Sequence, residues 1–600
     1  MLHYKTGFLG VEGQADGEAF YFSPAGKTDP VAELAATFAA LDKSSREDAL
    51  TDASAICRFP LRFEWLKDHF LVKRDPRTEC PGLRGFIEKV SARSVSLIFS
   101  SYFIDSPASA FGHTFLRLNS APHRSDDTDQ AELLDYGINY AAVMDTSNVL
   151  VYATKSMLGL FPGTFTAVPY YYKVREYNDF ESRDLWEYKL NFTQAQIDRM
   201  VLHMWELGQT HFDYKFFTEN CSYHVLGLLE VGNTELNLTA RLPALYVIPI
   251  DTVRVVQEEP GLLLGVRYRP SVLARLEHRS LNLPKIELER VWQLTQAPEN
   301  AEALLSEVPD ARRRADILDT AVDAFDFVNA KALVHQTQET NRRRHPLLVA
   351  RATTDHVSEP LRMTPPKAEF PENGHRSQRW GFGAGSEDGR GGYAFASMRF
   401  ALHDLLDPLP GQPTFSEIHF AGLYGRLQQT DYGEATRLEI DSLDFFRVSS
   451  FQPVTTWRNS FSWTAKLGLR KIQDEACDSC LAGTLDAGTG VTLAPAKSES
   501  FVALLTKFEV DHSPDLRRNW RFVVGPEVWA RWVISKKISS LATIGYKWSQ
   551  AFEAPLFAAQ LFTHSLEVRY HASREWSLAL KGQRIERQHA SAQLGLYRFF

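Results

Sequence analysis

Cys221 and His113 are the two side chains of this chain best suited to covalent chemistry. Cys221 lies in Thr218-Glu219-Asn220-Cys221-Ser222-Tyr223-His224, and His113 lies in Phe111-Gly112-His113-Thr114. Asn220 is a good helix N-cap, and Val225, Leu226, Leu228 and Leu229 recur at helical spacing until Gly232 stops the run. The pattern predicts Cys221 in the first turn of a buried helix. Unpaired backbone N–H groups and the helix dipole favour an anion there, so the thiolate is expected to form more readily than the reference pKa of roughly 8.5 implies. The same position also suits a small buried apolar residue, the usual fate of a free cysteine.

The chain has five cysteines. Cys57 pairs plausibly with Cys80 across a loop-rich stretch, and Cys477 with Cys480 in a Cys-Asp-Ser-Cys turn, leaving Cys221 over. In an oxidising compartment an unpaired thiol is either buried and inert or reactive. A redox or metal role for Cys477 and Cys480 would need a second Cys/His pair at ligand spacing nearby; there is none, so a local disulfide is expected and no metal or cofactor is called for.

Residues 107 to 118, Pro-Ala-Ser-Ala-Phe-Gly-His-Thr-Phe-Leu-Arg-Leu, followed much later by Asn220-Cys221-Ser222-Tyr223, resemble the signature of the Lnb-type N-terminal periplasmic domain family. That family includes bacterial lipoprotein N-acyltransferases. The order, His first and Asn-Cys later, is similar to the permuted NlpC/P60 group, to which lecithin:retinol acyltransferase-like enzymes belong. The resemblance covers residues 85 to 260. It implies a Cys/His site in which His113 activates Cys221, and it favours Asn139 over Asp135 as the group holding the imidazole, since Cys/His enzymes usually have such a third group. Asn220 belongs to the same motif. Tyr214 could offer its hydroxyl to an oxyanion, or be an ordinary buried tyrosine. His224, one helical turn from Cys221, is the rival base.

The elements that must position these residues can be read around them. Val95 to Tyr102 and Thr114 to Leu118 alternate as strands, with a turn through Ser106-Pro107 and Phe111-Gly112, and His113 falls at a strand start. Leu133 to Tyr140 is a third strand candidate. Residues 149 to 172, rich in Gly, Phe and Tyr, suit either a flexible apolar loop covering a lipid chain or ordinary core and turn. Thr193-Gln194-Ala195-Gln196 is a capping box opening a helix with Ile197, Met200, Val201 and Met204 inward and Gly208 closing it. Before residue 85, Val31, Leu34, Phe38 and Leu41 form one amphipathic run, and Phe63, Leu66 and Phe70 a second.

Six hundred residues exceed one core. Five segments are expected: a small helical or mixed domain at 1–84, the Cys/His domain at 85–270, a charged helical connector at 271–345, a Pro-rich linker at 346–375, and 376–600. The Arg-rich runs of the connector read as solvated helix faces that could also meet anionic head groups. In the last segment, stretches such as Phe461–Arg470, Asn519–Val533 and Trp576–Gln583 alternate apolar and polar residues between turns, as outer-membrane strands do. About a dozen such strands are expected, ending in an aromatic Tyr597-Arg598-Phe599-Phe600 whose inside/outside phase is ambiguous. The expected fold is thus an α+β periplasmic domain, permuted NlpC/P60-like, followed by an antiparallel transmembrane β-barrel.

The formal charge of -8, from 66 Lys plus Arg against 74 Asp plus Glu, gives no electrostatic case for nucleic acid. No apolar run is long enough for a transmembrane helix, and Met1-Leu2-His3-Tyr4-Lys5 lacks the regions of a secretory signal, so a trimmed signal or a misplaced start is expected. Together these features predict a Gram-negative outer-membrane protein with its N-terminal domains in the periplasm. Its expected activity is thiol acyl transfer from a phospholipid donor to an amine acceptor such as a lipoprotein N-terminus, through a Cys221 thioester. The alternatives are a cysteine amidase or peptidase acting on peptidoglycan, and a non-catalytic barrel protein whose periplasmic domain binds lipid or protein.

Overall fold

The stretch Ser94–Ser100 (β1) is buried along its whole length because helices cover both faces of the sheet it joins. The other strands are His113–Asn119 (β2), Tyr136–Ala142 (β3), Phe161–Pro169 (β4), Leu185–Leu190 (β5), Phe212–Tyr214 (β6) and Leu263–Arg269 (β7). They pair antiparallel in the order β6-β4-β3-β2-β1-β5-β7. The structure, a computed structural model, describes residues 1–600 apart from 8–9, 104–109, 122–129, 147, 244, 336, 360, 430–435, 475–476, 517–518, 550–558 and 586–588. The Ser106-Pro107 turn lies outside the described residues. Met1–Ser101 with Gly112–Thr364 forms one compact unit, and Tyr102–Phe111 with Pro365–Phe600 a second.

In the first unit, alternation divides β2 between two layers. Phe115 packs with Ile98, Tyr170, Val174, Tyr177 and Leu185 on one face. The Thr114 side chain meets the helix Cys221–Gly232 instead. We label the helix Gln194–Leu207 α1 and the helix Cys221–Gly232 α2. The capping box of α1 forms as the sequence predicts, Thr193 accepting from the Gln196 N–H while the Gln196 side chain accepts from the Thr193 N–H. The 149–172 stretch is not a loop: Val149–Leu158 is helical, β4 follows, and Tyr170 joins the core.

The first amphipathic helix turns out inverted. Pro30–Ser45, capped by Asp29, buries Glu33, Thr37, Leu41, Ser44 and Ser45, while Val31, Leu34 and Phe38 of its apolar run are exposed. Glu33 explains this: its carboxylate accepts from the Phe22 and Ser23 N–H groups and from Thr37, and pairs with buried Arg62, so the carboxylate is hydrogen-bonded inside. Cys57 and Cys80 are disulfide-bonded, with Cα atoms 5.5 Å apart. In the connector Arg344 pairs with Asp326 and Arg313 with Glu287, while Arg312, Arg342 and Arg343 are exposed; beyond it Arg351 pairs with Asp319. Helix Gln338–Thr353 runs through Pro346, so the Pro-rich stretch begins inside a helix.

The second unit holds a closed barrel of twelve antiparallel strands in sequence order. They are Arg379–Glu387 (β8), Gly391–His403 (β9), Ser416–Gln429 (β10), Thr436–Ser450 (β11), Ser462–Asp474 (β12), Cys477–Leu493 (β13), Phe501–His512 (β14), Trp520–Ser535 (β15), Ile538–Ser549 (β16), Ala559–His571 (β17), Trp576–Ile585 (β18) and His589–Phe599 (β19). Closure comes from β8 pairing with β19, Arg379 opposite Phe599, which leaves no free edge. β14 shows the polarity of a membrane barrel: Val502, Leu504 and Phe508 are exposed outside, while Lys507, Glu509 and Asp511 are buried inside. At the C-terminus the phase is settled, with Tyr597 and Phe599 inward and Leu594 and Leu596 outward. Cys477 and Cys480 are disulfide-bonded at the start of β13. Among the described residues no helix is long and apolar enough to cross a membrane.

Candidate active site

Cys221 is the first residue of α2, free of disulfides and buried. Asn220 places it there. The Asn220 Oδ1 accepts from the Ser222 and Tyr223 N–H groups, and its Nδ2 donates to the Phe216 and Val247 carbonyls at 3.0 and 2.7 Å. All of its amide is thereby used in capping and tethering the helix, which makes Asn220 a positioning residue.

Around the sulfur stand the backbone N–H groups of Thr114 and Ser222 and the hydroxyls of Ser222 and Tyr214. Ser222 Oγ lies 3.7 Å from Cys221 Sγ, and the Thr114 hydroxyl donates to Ser222 Oγ at 2.8 Å. Because Thr114 fills one acceptor site of that oxygen, the proton of Ser222 is free to point at the sulfur. The outcome for the thiol differs from the sequence expectation. Burial pushes it above its ordinary value, against the thiolate-favouring donors of Ser222, Thr114 and Tyr214. The helix start still favours an anion, but at this buried position the cost of taking a thiolate out of water outweighs it.

His113 opens β2, and its Nε2 lies 2.6 Å from the Asn139 Oδ1 on β3. Burial lowers the imidazole pKa to about 3, opposed by the bond to Asn139 and reinforced by the charges of Lys173 and Arg183. It is therefore neutral at any physiological pH. Since Oδ1 only accepts, Nε2 carries the proton and the Nδ1 lone pair is the basic one. Two residues tie His113 to the thiol: Thr114, its chain neighbour, donates its N–H to the sulfur, and Tyr177, whose ring is 5.5 Å from the imidazole, is close enough to feel the charge of Cys221.

The rivals lie elsewhere. Asp135 accepts from the Ser120 N–H and hydroxyl and faces Arg117, a structural role. The His224 ring packs against Tyr140 and Phe212, with centroids at 4.3 and 4.5 Å. Tyr214 stacks on Tyr140 and reaches the thiol. Sequence reasoning missed Thr114, Ser222 and Tyr177. The first two were visible only as the residues following His113 and Cys221, and the third sits on a π-helical turn, Val174–Phe180, that periodicity does not reveal. Beside Tyr214, which pairs with Phe161 of β4, the rim is apolar and exposed: Val143, Met144, Leu158 and Leu160 are all at least half exposed.

Residues 84–259 match the family described as the Lnb N-terminal periplasmic domain. This segment contains the whole Cys221/His113/Asn139 arrangement. Three further segments, residues 1–69, 266–363 and 368–599, match families described only as domains of unknown function (DUF7843, DUF7842 and DUF7840). No curated protein matches the chain. Similar solved structures include a KdgM porin in complex with disordered oligogalacturonate (7% identity, 37% of this chain and 99% of that one, TM-score 0.21). Others are a NanC porin (7%, 37% and 99%, TM-score 0.24) and the outer membrane protein Omp33 of Acinetobacter baumannii (9%, 38% and 99%, TM-score 0.20). The chain combines a segment matching the Lnb N-terminal periplasmic domain with a closed twelve-stranded barrel whose exposed apolar and buried polar faces are those of an outer-membrane barrel.

Proposed function

We propose that the Lnb-type segment is a cysteine acyltransferase that takes an acyl chain from a phospholipid and passes it to an amine. The observation that carries the reading is the convergence on β2: Thr114 holds the Cys221 sulfur while the preceding residue, His113, is oriented by Asn139 at 2.6 Å. In the first half-reaction His113 takes the thiol proton as the sulfur attacks an ester carbonyl. The C–O bond breaks, the lysophospholipid alcohol leaves with the proton from His113, and a Cys221 thioester remains. In the second, an amine attacks the thioester, forming an amide and restoring the thiol. We assign the Tyr214 hydroxyl, which reaches the thiol, the role of donor to the developing oxyanion. The N–H groups of Ser222 and Tyr223 at the helix start serve the Asn220 cap.

The exposed rim of Val143, Met144, Leu158 and Leu160 supports a lipid rather than a soluble substrate. A cavity of 1210 Å³ lies along the flank of α2, with Glu64, Trp65, Arg77 and Glu230 in its walls, but neither Cys221 nor His113 lines it, so it lends a peptidoglycan amidase no support. Intact-protein mass spectrometry after incubation with phospholipid vesicles separates these readings. A hydroxylamine-sensitive acyl adduct on Cys221, absent in Cys221→Ala and His113→Ala, is expected. Failure to acylate, together with turnover of muropeptides, would replace the transferase by the amidase; inertness toward both would leave a binding module.

A further inference from the structure

The connection between β9 and β10, residues 404–415, behaves unlike a loop at a barrel mouth. Such loops ordinarily run over the surface. Here Asp404, Leu405, Leu406, Asp407 and Pro408 are buried and no residue from 404 to 415 is exposed. The loop folds into the lumen at the mouth where β8 begins and β19 ends.

Its contacts reach around the ring. Asp404 accepts from Arg569 of β17 at 2.7 Å and pairs with Arg379 of β8. Asp407 accepts from Arg379 and Arg569 at 2.8 Å each, pairs with Arg399 of β9 at 2.6 Å, and accepts the Asp404 N–H at 2.9 Å. On the opposite wall Leu405 packs with Phe501 and Leu505 of β14, Trp529 of β15 and Leu541 of β16. The Leu406 carbonyl accepts from Ser539, and the Thr414 carbonyl from Arg531. Strands β8 and β14 stand half a ring apart in a closed barrel of twelve, so a segment touching both crosses the lumen. Pro408, Pro410 and Pro413 stiffen the crossing. Gly411, at φ +70°, lies so close to the Phe370 carbonyl that a Cβ would approach it to 2.7 Å, which packs the loop against the segment leading into β8.

We infer that residues 404–415 are a fixed plug, latched by Asp404 and Asp407 to three barrel arginines, and that the barrel anchors the chain without conducting solutes. A cavity of 370 Å³ inside the barrel is lined by the latch residues Arg379, Arg399, Asp404 and Arg569. A metal site is the competing explanation, because His375, His403 and Asp407 bring ligand atoms within 4.8 Å of one another. The three guanidiniums already on Asp407 and its neighbour give the cluster one more positive than negative group, which opposes a divalent cation. A buried carboxylate so enclosed is costly to remove, because the arginines would be left unpaired.

The test is planar-bilayer recording on the full chain, with liposome swelling by small sugars as a second readout. Wild type is expected to insert without stepwise conductance. Asp404→Asn/Asp407→Asn, and a separate variant in which Leu405–Gln412 is replaced by a short Gly-Ser turn, are expected to open steps and to admit sugars. Heat-modifiable migration in detergent gels reports that each barrel is folded. Steady wild-type conductance overturns the inference, as does silence in both variants when folded. Should neither variant fold, the wild-type recording still decides: conductance refutes the seal and silence supports it.

Discussion

The His113 Nε2 lies 2.6 Å from the Asn139 Oδ1, across the β2–β3 edge and one residue along the strand from the N–H that holds the Cys221 sulfur. The amide fixes both the tautomer and the tilt of the ring. Asn139→Ala frees the imidazole without removing it, and a buried hydrogen bond of this kind is worth about 1–3 kcal/mol. The rate of Cys221 acylation should fall about 5- to 150-fold by that measure, toward the low end of the loss in His113→Ala, for which general-base catalysis sets about 10²–10⁴-fold. Single-turnover mass spectrometry on both variants orders the two. Equal losses would show that Asn139 does more than orient.

The resting pair is a thiol beside a neutral imidazole, since burial raises Cys221 and lowers His113 to about 3. An enzyme that relied on a preformed thiolate–imidazolium pair would show an acid limb near the ordinary histidine value of roughly 6.5. This one should acylate at an undiminished rate well below that pH, with the limb displaced toward 3. Iodoacetamide modification without lipid should in contrast climb steadily with pH to beyond the ordinary cysteine value of roughly 8.5. Stopped-flow acylation and alkylation across pH 4 to 10 check both limbs together.

Acid should loosen the first unit. His113 and His224 have folded pKa values of about 3 and about 4, and burial holds His3 and His203 well below their ordinary value too. Between those values and the unfolded value near 6.5, the unfolded chain binds protons that the folded chain refuses. Their stabilisation is therefore complete above about pH 6.5 and declines as pH falls, by up to about 1.4 kcal/mol per pH unit for each histidine. Glu206, raised to about 7 mainly by burial, has the opposite slope, because its folded form keeps a proton the unfolded form has released. Asp179, raised to about 6, shares that slope, as do Asp135, Glu181, Asp184, Asp213, Glu230 and Asp326, whose carboxyls burial also raises. The four histidines refuse protons over the whole interval below about pH 6.5, whereas each carboxylate gains only below its own folded value, so the decline is expected to prevail. Urea unfolding followed by tryptophan fluorescence should show a lower midpoint at pH 5 than at pH 7.5; a higher midpoint would mean these histidines are hydrated.

Much of this was readable from sequence because the signals were local. The Asn220 cap and the apolar spacing behind it fixed where Cys221 sits on α2, and the alternation in the stretches that form β12, β15 and β18 announced an outer-membrane-type barrel. What stayed hidden depends on tertiary partners. The apolar run Val31, Leu34, Phe38 pointed to a buried face, but Glu33 and Arg62, distant in sequence, drew the other face inward. Asp404 and Asp407 carry no signal in the sequence, because their arginines come from three different strands. The elevated thiol followed from burial at the helix start, which no motif encodes.

The hydroxyls of Thr114 and Ser222 make the sharpest test of how the thiol is held. Thr114 donates to Ser222 at 2.8 Å, and Ser222 stands 3.7 Å from the sulfur, so the two form a relay that favours negative charge on Cys221. Thr114→Val preserves shape and the backbone N–H while removing the relay's first donor. Ser222→Ala removes its last. Each loses a buried hydrogen bond worth about 1 kcal/mol, hence about a fivefold slower alkylation at neutral pH and a thiol pKa raised further. The double variant should lose little more than Ser222→Ala alone, because Thr114 acts on the sulfur's charge through Ser222. A thiol titration by absorbance at 240 nm on the folded full chain reads this directly. Additive shifts would mean that the two hydroxyls act separately, and unshifted titrations would leave the backbone N–H of Thr114 and the Tyr214 hydroxyl as the groups that hold the thiolate.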